Sequence, residues 1–591
     1  MRIVLLYPPP WKIPAPGEEP DQSGEGPPKD WEPEKRFGGD EVATPYGLLS
    51  LAAQAIRAGH DVTLFNIYLF AWRDITDLIR HLPADLYGLS CFTSNRRGTI
   101  AVSRLIRKMY PHAYIVVGGP HASALPREML EHCKAIDGVV IGEGEETFSE
   151  LIEHLAHDEF NESISGMVWR SYSGIEAGPP RKRIHNLDSL VSPVDCFESH
   201  FIISSRGCPG NCTFCGSAAQ WGRIVRFHSV EYTLEMIERI VNTQKNRIIF
   251  FKDETFTLNR KRVLQICDGI IKRKINFLWS CDTRVDRLDE EVLLAMRKAG
   301  CQRISVGLES ASHKILKSIN KGTTPELVLS ATRMAKKFGL QIRYYVMAGN
   351  RGESAETLKT SIDFIVEAKP NEFMFSYLSL YPGTEEFHIA ESSGLVRRDM
   401  FFSEKLYSFD FTYGEDSPQL REICNWINAH LGIRKFWDYS IAELETISAL
   451  FPDLPAAHMD LGGTHYQLGN YSEAEKHIRI AIDMGYPLPI LGYNYLACIA
   501  ASCGDFKSAI NYFEQAKALS NDSIVDDNLQ SLRAWLLAGG LQSGHRPNLI
   551  ANHDLERPFI AKQPILPGPI VIHSTSTESD MSPIIFMPQP L

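Results

Sequence analysis

The chain has 591 residues, 44% apolar and 23% charged, room for roughly three to four domains with separate cores. A net charge of −11 argues against a nucleic-acid or anionic-membrane surface as the main partner. No apolar run approaches the roughly 18 residues needed for a membrane span, and twelve scattered cysteines without a secretion signal suggest a reducing cytoplasm.

Over the first 150 or so residues, β-branched runs alternate with helical patterns. "RIVLLY" (2–7), "DVTLFNI" (61–67), "LYGLSCF" (86–92), "AYIVVGG" (113–119) and "GVVIGEG" (138–144) are the expected strands. Such alternation predicts a doubly wound parallel sheet, whose ligand lies beyond the carboxyl ends of the strands. Here those ends read "YPPPW", "SCFTSN", "GGPHAS" and "GEGEE". The Pro- and Gly-rich insert 8–40 is expected to fold over a ligand as a long loop. Residues 161–200 are expected to connect, with a small hairpin in "MVWRSYSGIEAGPP".

A second βα series is expected over 201–400, with strands at 201–207, 247–254, 276–284, 303–310, 341–349 and 372–384. Six such units predict a partial (βα)₆ TIM-type barrel, active at the carboxyl ends of its strands. After a helical connector (401–450), the stretch 451–540 is all-helical and repeats itself. "LGNYSEAEKHIRIAID" (468–483) and "CGDFKSAINYFEQAKA" (503–518) align at an offset of 35, pairing Gly469 with Gly504, Ala474 with Ala509 and Ala481 with Ala516. These positions resemble tetratricopeptide repeats. The tail 541–591 is rich in Pro, Ser and Thr and is expected to be disordered.

Chemistry concentrates in "SSRGCPGNCTFCGSAAQW" (204–221), after the first strand of the second series. Cys208, Cys212 and Cys215 are one ligand short of a structural zinc site and leave one thiol over from a disulfide. Three thiolates suit a cluster or metal that keeps one position open. C-x₃-C-x₂-C heading such a barrel resembles the radical S-adenosylmethionine (SAM) superfamily. That resemblance implies a 4Fe-4S cluster on the three cysteines, with SAM on the fourth iron. It implies SAM contacts from Phe214, from Asp253 or Glu254 of "FKDETFTLN", from Arg284 of "CDTRVD", and from Glu309 and Ser310 of "VGLES". "YPGTEEF" (381–387) looks like the usual end of the sixth strand, whereas "MAGNRGES" departs from the commoner pattern at Asn350 and Arg351 and is expected to reshape the substrate side.

The first domain (1–160) resembles the cobalamin-binding domain often placed before this barrel. Pro9, Ser90, Thr93, Gly118, Gly119, His121, Gly142, Glu143 and Gly144 are then the candidate cobalamin contacts. No histidine has Asp two residues before it, so a His lower ligand to cobalt is not expected. The combination implies methylation of an unactivated carbon of a small or hydrophobic metabolite, through a 5′-deoxyadenosyl radical and methylcobalamin. Cobalamin-dependent ring formation or rearrangement is the alternative, and a repeat-based scaffold with a redox cluster is another. Methylthio transfer to tRNA would want further cluster cysteines before residue 200 and a basic C-terminal part, but Cys91, Cys133 and Cys196 are irregularly spaced and the C-terminal part is not basic. The expected partners are a small-molecule substrate, an electron donor such as flavodoxin or ferredoxin, and a protein or second copy bound through the repeats.

Overall fold

The computed structural model describes residues 1–10, 45–68, 70, 72–157, 164–243, 247–402, 438–520, 522–540 and 547–551, with the backbone alone of 434–436. The expected insert from residue 11 onward, most of the connector before residue 438, and the tail beyond 551 lie outside them.

In the first domain, β1 (Arg2–Tyr7), β2 (Asp61–Asn66), β3 (Leu86–Ser90), β4 (Tyr114–Gly118) and β5 (Gly138–Val140) run parallel in the order β2-β1-β3-β4-β5. Alternate residues feed opposite faces. Ile3 and Leu5 join Leu86, Val116 and Val140 in one core, while Val4 and Leu6 join Leu89, Ile115, Val117 and Val139 in the other. Helices cover both faces, which is why these strands are continuously apolar. The hairpin of β6 (Met167–Ser171) and β7 (Gly174–Ala177) adds antiparallel beyond β5. The first sheet therefore extends into the stretch expected to be a connector.

The second domain contains β8 (Phe201–Ile202), β9 (Ser205–Arg206), β10 (Arg226–Phe227), β11 (Ile248–Phe251), β12 (Leu278–Thr283), β13 (Cys301–Glu309), β14 (Gln341–Ala348), β15 (Glu372–Tyr377) and β16 (Arg434–Phe436). Six of them, β8-β11-β12-β13-β14-β15, are parallel and form the partial barrel; β16 adds antiparallel to β15. The expected single strand 201–207 is broken. The Asp253 carboxylate takes the backbone N–H groups of Ser204 (2.6 Å) and Ser205 (3.1 Å), so β9 leaves the barrel and pairs with β10 instead. On the rim, Ser229, Asn259, Asp289, Thr324, Ser354 and Thr384 each cap a helix with a side-chain oxygen, which stiffens the loops above the strands.

Among the described residues, six helices follow: Ile441–Leu450, Pro455–Gln467, Tyr471–Asp483, Pro489–Cys503, Phe506–Leu519 and Ser523–Leu537. Small residues let them pack closely: Ala474, Ala481, Ala509 and Ala516 are fully buried. The array sits at the amino ends of the barrel strands. Arg297 reaches Asp460 (3.0 Å), Asn276 donates to the Gly485 carbonyl (2.6 Å), and the Tyr439 hydroxyl donates to the Leu340 carbonyl (2.8 Å). Leu278 and Ile248, at the starts of β12 and β11, pack against its core. This is the opposite end of the barrel from the cysteine loop.

Inside the barrel, Glu372 pairs with both Arg303 (3.2 Å) and Arg343 (2.7 Å), all almost wholly buried. Removing the shared anion leaves two buried cations. Glu372→Leu is expected to destabilise the fold by about 3–5 kcal/mol, read as a lowered denaturant midpoint; an unchanged midpoint would mean that solvent reaches the pair.

Candidate functional site

The cysteine loop leaves β9 and is held by hydrogen bonds on three sides. Behind it, Asp253 accepts from the N–H and hydroxyl groups of both Ser204 and Ser205. Within it, Gly210 N–H points at Cys208 Sγ (3.4 Å) and Ser217 N–H at Cys215 Sγ (3.5 Å), a donor pattern suited to anionic sulfur. From the far rim, Glu386 accepts the Thr213 hydroxyl, its own N–H donates to the Thr213 carbonyl (2.8 Å), and Arg351 pairs with its carboxylate (2.8 Å). Arg351 thus supports the cysteine loop through Glu386. Asn350 turns back to the Met347 carbonyl (3.0 Å).

Among the described residues no three His, Cys, Asp or Glu converge on a single metal ion. A multi-iron cluster, which holds each cysteine on a different iron, matches the donor set. Burial pushes the Cys215 thiol up to about 11 and raises that of Cys212, while Lys321 opposes both and Arg284 also opposes the latter. Thiolates here need positive charge beside them, which iron would supply.

Arg284 stands next to this loop. A Cβ on Gly210 would lie 3.4 Å from both the Arg284 guanidinium and Cys208 Sγ. The guanidinium is aimed by Asp286 (2.9 Å) and by the Lys321 and Gly322 carbonyls. Lys321, which sequence reasoning missed, is buried against Glu309 (2.7 Å) and sits 5.8 Å from the Phe214 ring centre. Burial alone would lower its pKa, but Glu309 and Cys212 hold it above the ordinary lysine value. Glu309 lies at the β13 bulge with φ +59°, a conformation disfavoured for a residue with a Cβ.

Two residues that the resemblance assigned to SAM already have protein partners on this rim. The carboxylate of Asp253 is engaged by Ser204 and Ser205, so it anchors the loop and is not placed to take the SAM ammonium. Ser310 turns inward, its hydroxyl engaged by Ser361 (3.1 Å) and by the Ser312 N–H. Glu254, its neighbour's alternative, accepts from the Gly207 N–H (3.2 Å) and lines an open cavity; burial pushes its carboxyl up to about 7.

That cavity, about 520 Å³, lies between the domains. Its floor is the carboxyl end of the first sheet, with Ser90, Gly118, Gly119, Gly142 and Gly144; its roof is Arg206, Gly216, Trp221 and Glu254 of the second domain. A second cavity of about 910 Å³ shares Tyr46, Phe92, Gly142 and Gln220 with it and extends to Thr93, Lys252 and Tyr381. A side chain at Gly118 would meet only Val140 at 3.8 Å, and one at Gly142 nothing within 4 Å. The first would make only ordinary contact and the second would enter open space, a cradle for a large ligand lying on backbone. Gly119, by contrast, needs its φ of +103° and the close approach of the Cys91 carbonyl, 2.8 Å from where a Cβ would stand. No histidine lines either cavity among the described residues.

Buried ion pairs join floor to roof. Arg206 pairs with Glu143 (2.9 Å) and Glu145 (2.6 Å), Arg226 pairs with Glu143 (2.6 Å), and Ser50 donates to Glu145 (2.8 Å). Burial pushes the Glu145 carboxyl upward, but Arg206 overrides it and holds it below the usual carboxylate range. The Glu143 side chain, expected to touch cobalamin, is committed to this clamp. His121 is also misplaced by the sequence. It bonds Thr93 through Nδ1 (3.0 Å), packs on Phe401 (5.4 Å between ring centres), and lines neither cavity; burial pushes its imidazole down to about 3. Pro9 lies under the helix Arg96–Met109, its carbonyl where a Gly98 side chain would be, and lines neither cavity.

Comparison with known proteins agrees with this two-domain site. The B12 binding domain family matches residues 40–152 and the Radical SAM superfamily residues 202–365. An uncharacterised methyltransferase of Pyrococcus horikoshii is 32% identical over 365 residues, covering 60% of this chain and 79% of the relative. The chain belongs to the cobalamin-binding class of radical SAM enzymes. Also similar is an anaerobic magnesium-protoporphyrin IX monomethyl ester cyclase of Rubrivivax gelatinosus, at 25% identity over 60% of this chain and 68% of that one. The fold is that of the radical SAM methyltransferase TsrM from Kitasatospora setae, solved with cobalamin and a [4Fe-4S] cluster: TM-score 0.52, 18% identity, 67% of this chain and 76% of that chain.

In this radical SAM enzyme the cysteine loop depends on the Glu386 anchor. Glu386→Ala is expected to leave the fold intact and reduce iron retained after anaerobic reconstitution several-fold. Full iron content in the variant would show that the loop holds its shape unaided.

Proposed function

We propose that the enzyme transfers a methyl group to an unactivated carbon of a small or hydrophobic metabolite bound between the two domains. The single observation that carries this reading is the shared cavity: the cysteine loop, through Gly216 and Ser217, and the glycine cradle of the first sheet line the same space. The methyltransferase name of the Pyrococcus relative points the same way. When bound, the cluster supplies the electron that cleaves SAM to a radical, and cobalamin supplies the methyl group.

On this reading Cys208, Cys212 and Cys215 hold the cluster. Arg284 and Lys321 offer cationic donors to the SAM carboxylate, Glu309 sets the Lys321 ammonium, Phe214 packs beside them, and Glu254 is the acceptor for the SAM ammonium. Ser90, Gly118, Gly119, Gly142 and Gly144 present backbone and a hydroxyl to cobalamin, while the Arg206 clamp keeps the roof at a fixed height and excludes water. We read the six-helix array as tetratricopeptide-like. No helix among the described residues is long and apolar enough to cross a membrane, and we place the enzyme in the cytoplasm with a flavodoxin- or ferredoxin-type reductant.

Ring closure or rearrangement is the second reading, favoured by the cyclase relative. SAM carrying a deuterated methyl separates the two: methylation puts the label in the product, whereas cyclisation leaves the product unlabelled, with deoxyadenosine formed in both. Replacing the three cysteines by Ala is expected to abolish deoxyadenosine formation. Arg284→Ala is expected to raise the SAM concentration required roughly tenfold, the loss of one charge-assisted contact, with iron content unchanged. Cleavage that survives the triple replacement would overturn the cluster assignment.

A further inference from the structure

The larger of the two cavities between the domains has a lining of a definite kind. Tyr7, Tyr46, Phe92, Phe201 and Tyr381 line it, and among the described residues no carboxylate does. Lys252 is the charged residue of that lining among the described residues. It follows the last residue of β11, its N–H donating to the Ile202 carbonyl (2.9 Å) and its ammonium 4.4 Å from the Phe250 ring centre. A single charge in a lining otherwise uncharged fixes the orientation of a ligand.

Beneath this lysine the barrel interior is polar, where such interiors are usually filled by bulky apolar side chains. Strand register sets Asp282, Ser305, Arg343 and Glu372 in one row, and the pairing of Phe251 with Cys281 places Lys252 beside Asp282 at its end. The alternate residues Cys281, Ile304 and Ile342 belong to the outer apolar core, so the row faces inward. Both of its carboxylates are engaged: Asp282 accepts the Tyr345 hydroxyl (3.2 Å), and Glu372 is shared by Arg303 and Arg343. Arg303 rests on the same Phe250 ring as Lys252, 5.9 Å from its centre. Burial and the neighbouring Arg343 push its guanidinium down to about 9 in spite of Glu372, so this interior is short of negative charge. The hydroxyls of Ser280 and Ser305, both buried, have no hydrogen-bond partner among the described residues.

We propose that Lys252 anchors the substrate: it takes the anionic group, carboxylate or phosphate, of a metabolite whose apolar body lies among the aromatic residues of the cavity. The proposal rests on the functional reading above and narrows its substrate class. Glu254, the acceptor assigned to the SAM ammonium, stands two residues on from Lys252, so an anion held there sets the attached carbon skeleton beside the SAM position. Arg303 adds positive charge from beneath.

The test is equilibrium dialysis of three probes against the cluster- and cobalamin-loaded protein, with saturating SAM and no reductant, so that the site for the SAM carboxylate is already filled. 2-Naphthoate, 2-naphthyl phosphate and uncharged 2-naphthalenemethanol share one apolar body. One of the two anions is expected to bind about tenfold more tightly than the alcohol, and the tighter of them names the group. Lys252→Met is expected to remove that preference while the alcohol binds as before, with iron and cobalamin content unchanged, and Lys252→Arg is expected to keep it. In the unaltered protein the tighter anion is expected to protect Lys252 from acetic anhydride, read by peptide mass spectrometry. Three results would overturn the proposal: equal binding of the three probes, an anion preference that survives in Lys252→Met or leaves Lys252 unprotected, and cobalamin lost from Lys252→Met, which would give the lysine to the cofactor. The labelled-methyl experiment fails separately. An anion preference at Lys252 without label transfer would remove methylation and leave the anchor, and label transfer without the preference would do the reverse.

Discussion

Everything that makes this molecule one enzyme rests on a buried electrostatic seam. Arg206 leaves the barrel two residues before Cys208 and inserts between Glu143 and Glu145 of the other domain, with Arg226 sharing Glu143. All four side chains are nearly solvent-free. Ions so placed are costly to desolvate and tolerate separation badly, so the seam admits one register of the domains. A purely apolar interface would allow sliding. The seam thereby sets the height of the shared cavity and faces the cysteine loop towards the glycine cradle.

The same economy holds the loop itself. Asp253 and Glu386 are both buried carboxylates, and both take backbone or hydroxyl protons from the residues flanking the cysteines. One acts from the second barrel strand and the other from beyond the sixth, so the loop is tied across the open side of a barrel that does not close. At the other end, the helical array covers the amino ends of the strands, where Arg297 and Asn276 anchor it. The helical array and the cysteine loop are therefore separated by the length of the barrel.

The architecture was legible because its signals are local. Apolar runs of five or six residues, helices between them, and a thiol triplet with its barrel can each be read within one short window. What escaped needs distant partners. Glu143 looks like any carboxylate in a glycine loop, and only the fold brings Arg206 and Arg226, 63 and 83 positions away, onto it. His121 in "GGPHAS" has the composition of a ligand contact, yet Phe401 from beyond the barrel closes over it. The break between β8 and β9 is invisible in "FIISSRG" because its cause, Asp253, lies about 50 residues on. Lys321 carried no signal that set it apart from Lys314 and Lys317, which also follow "VGLES", and nothing nearby pointed it at Glu309. Side chains that serve the loop from behind and those that face the ligand share the same residue types, and sequence alone could not sort Asp253 from Glu254.

The cysteine loop and the glycine cradle line one cavity, which requires both cofactors to occupy a single rigid site. The measurement that tests this most directly is an anaerobic reconstitution with iron, sulfide and hydroxocobalamin, followed by desalting and determination of iron and cobalt per chain. About four irons and about one cobalamin retained together, with the cobalamin spectrum responding to addition of SAM, is the predicted result. Iron retained without cobalamin would contradict it, because the glycine cradle and the seam above it would then serve no ligand.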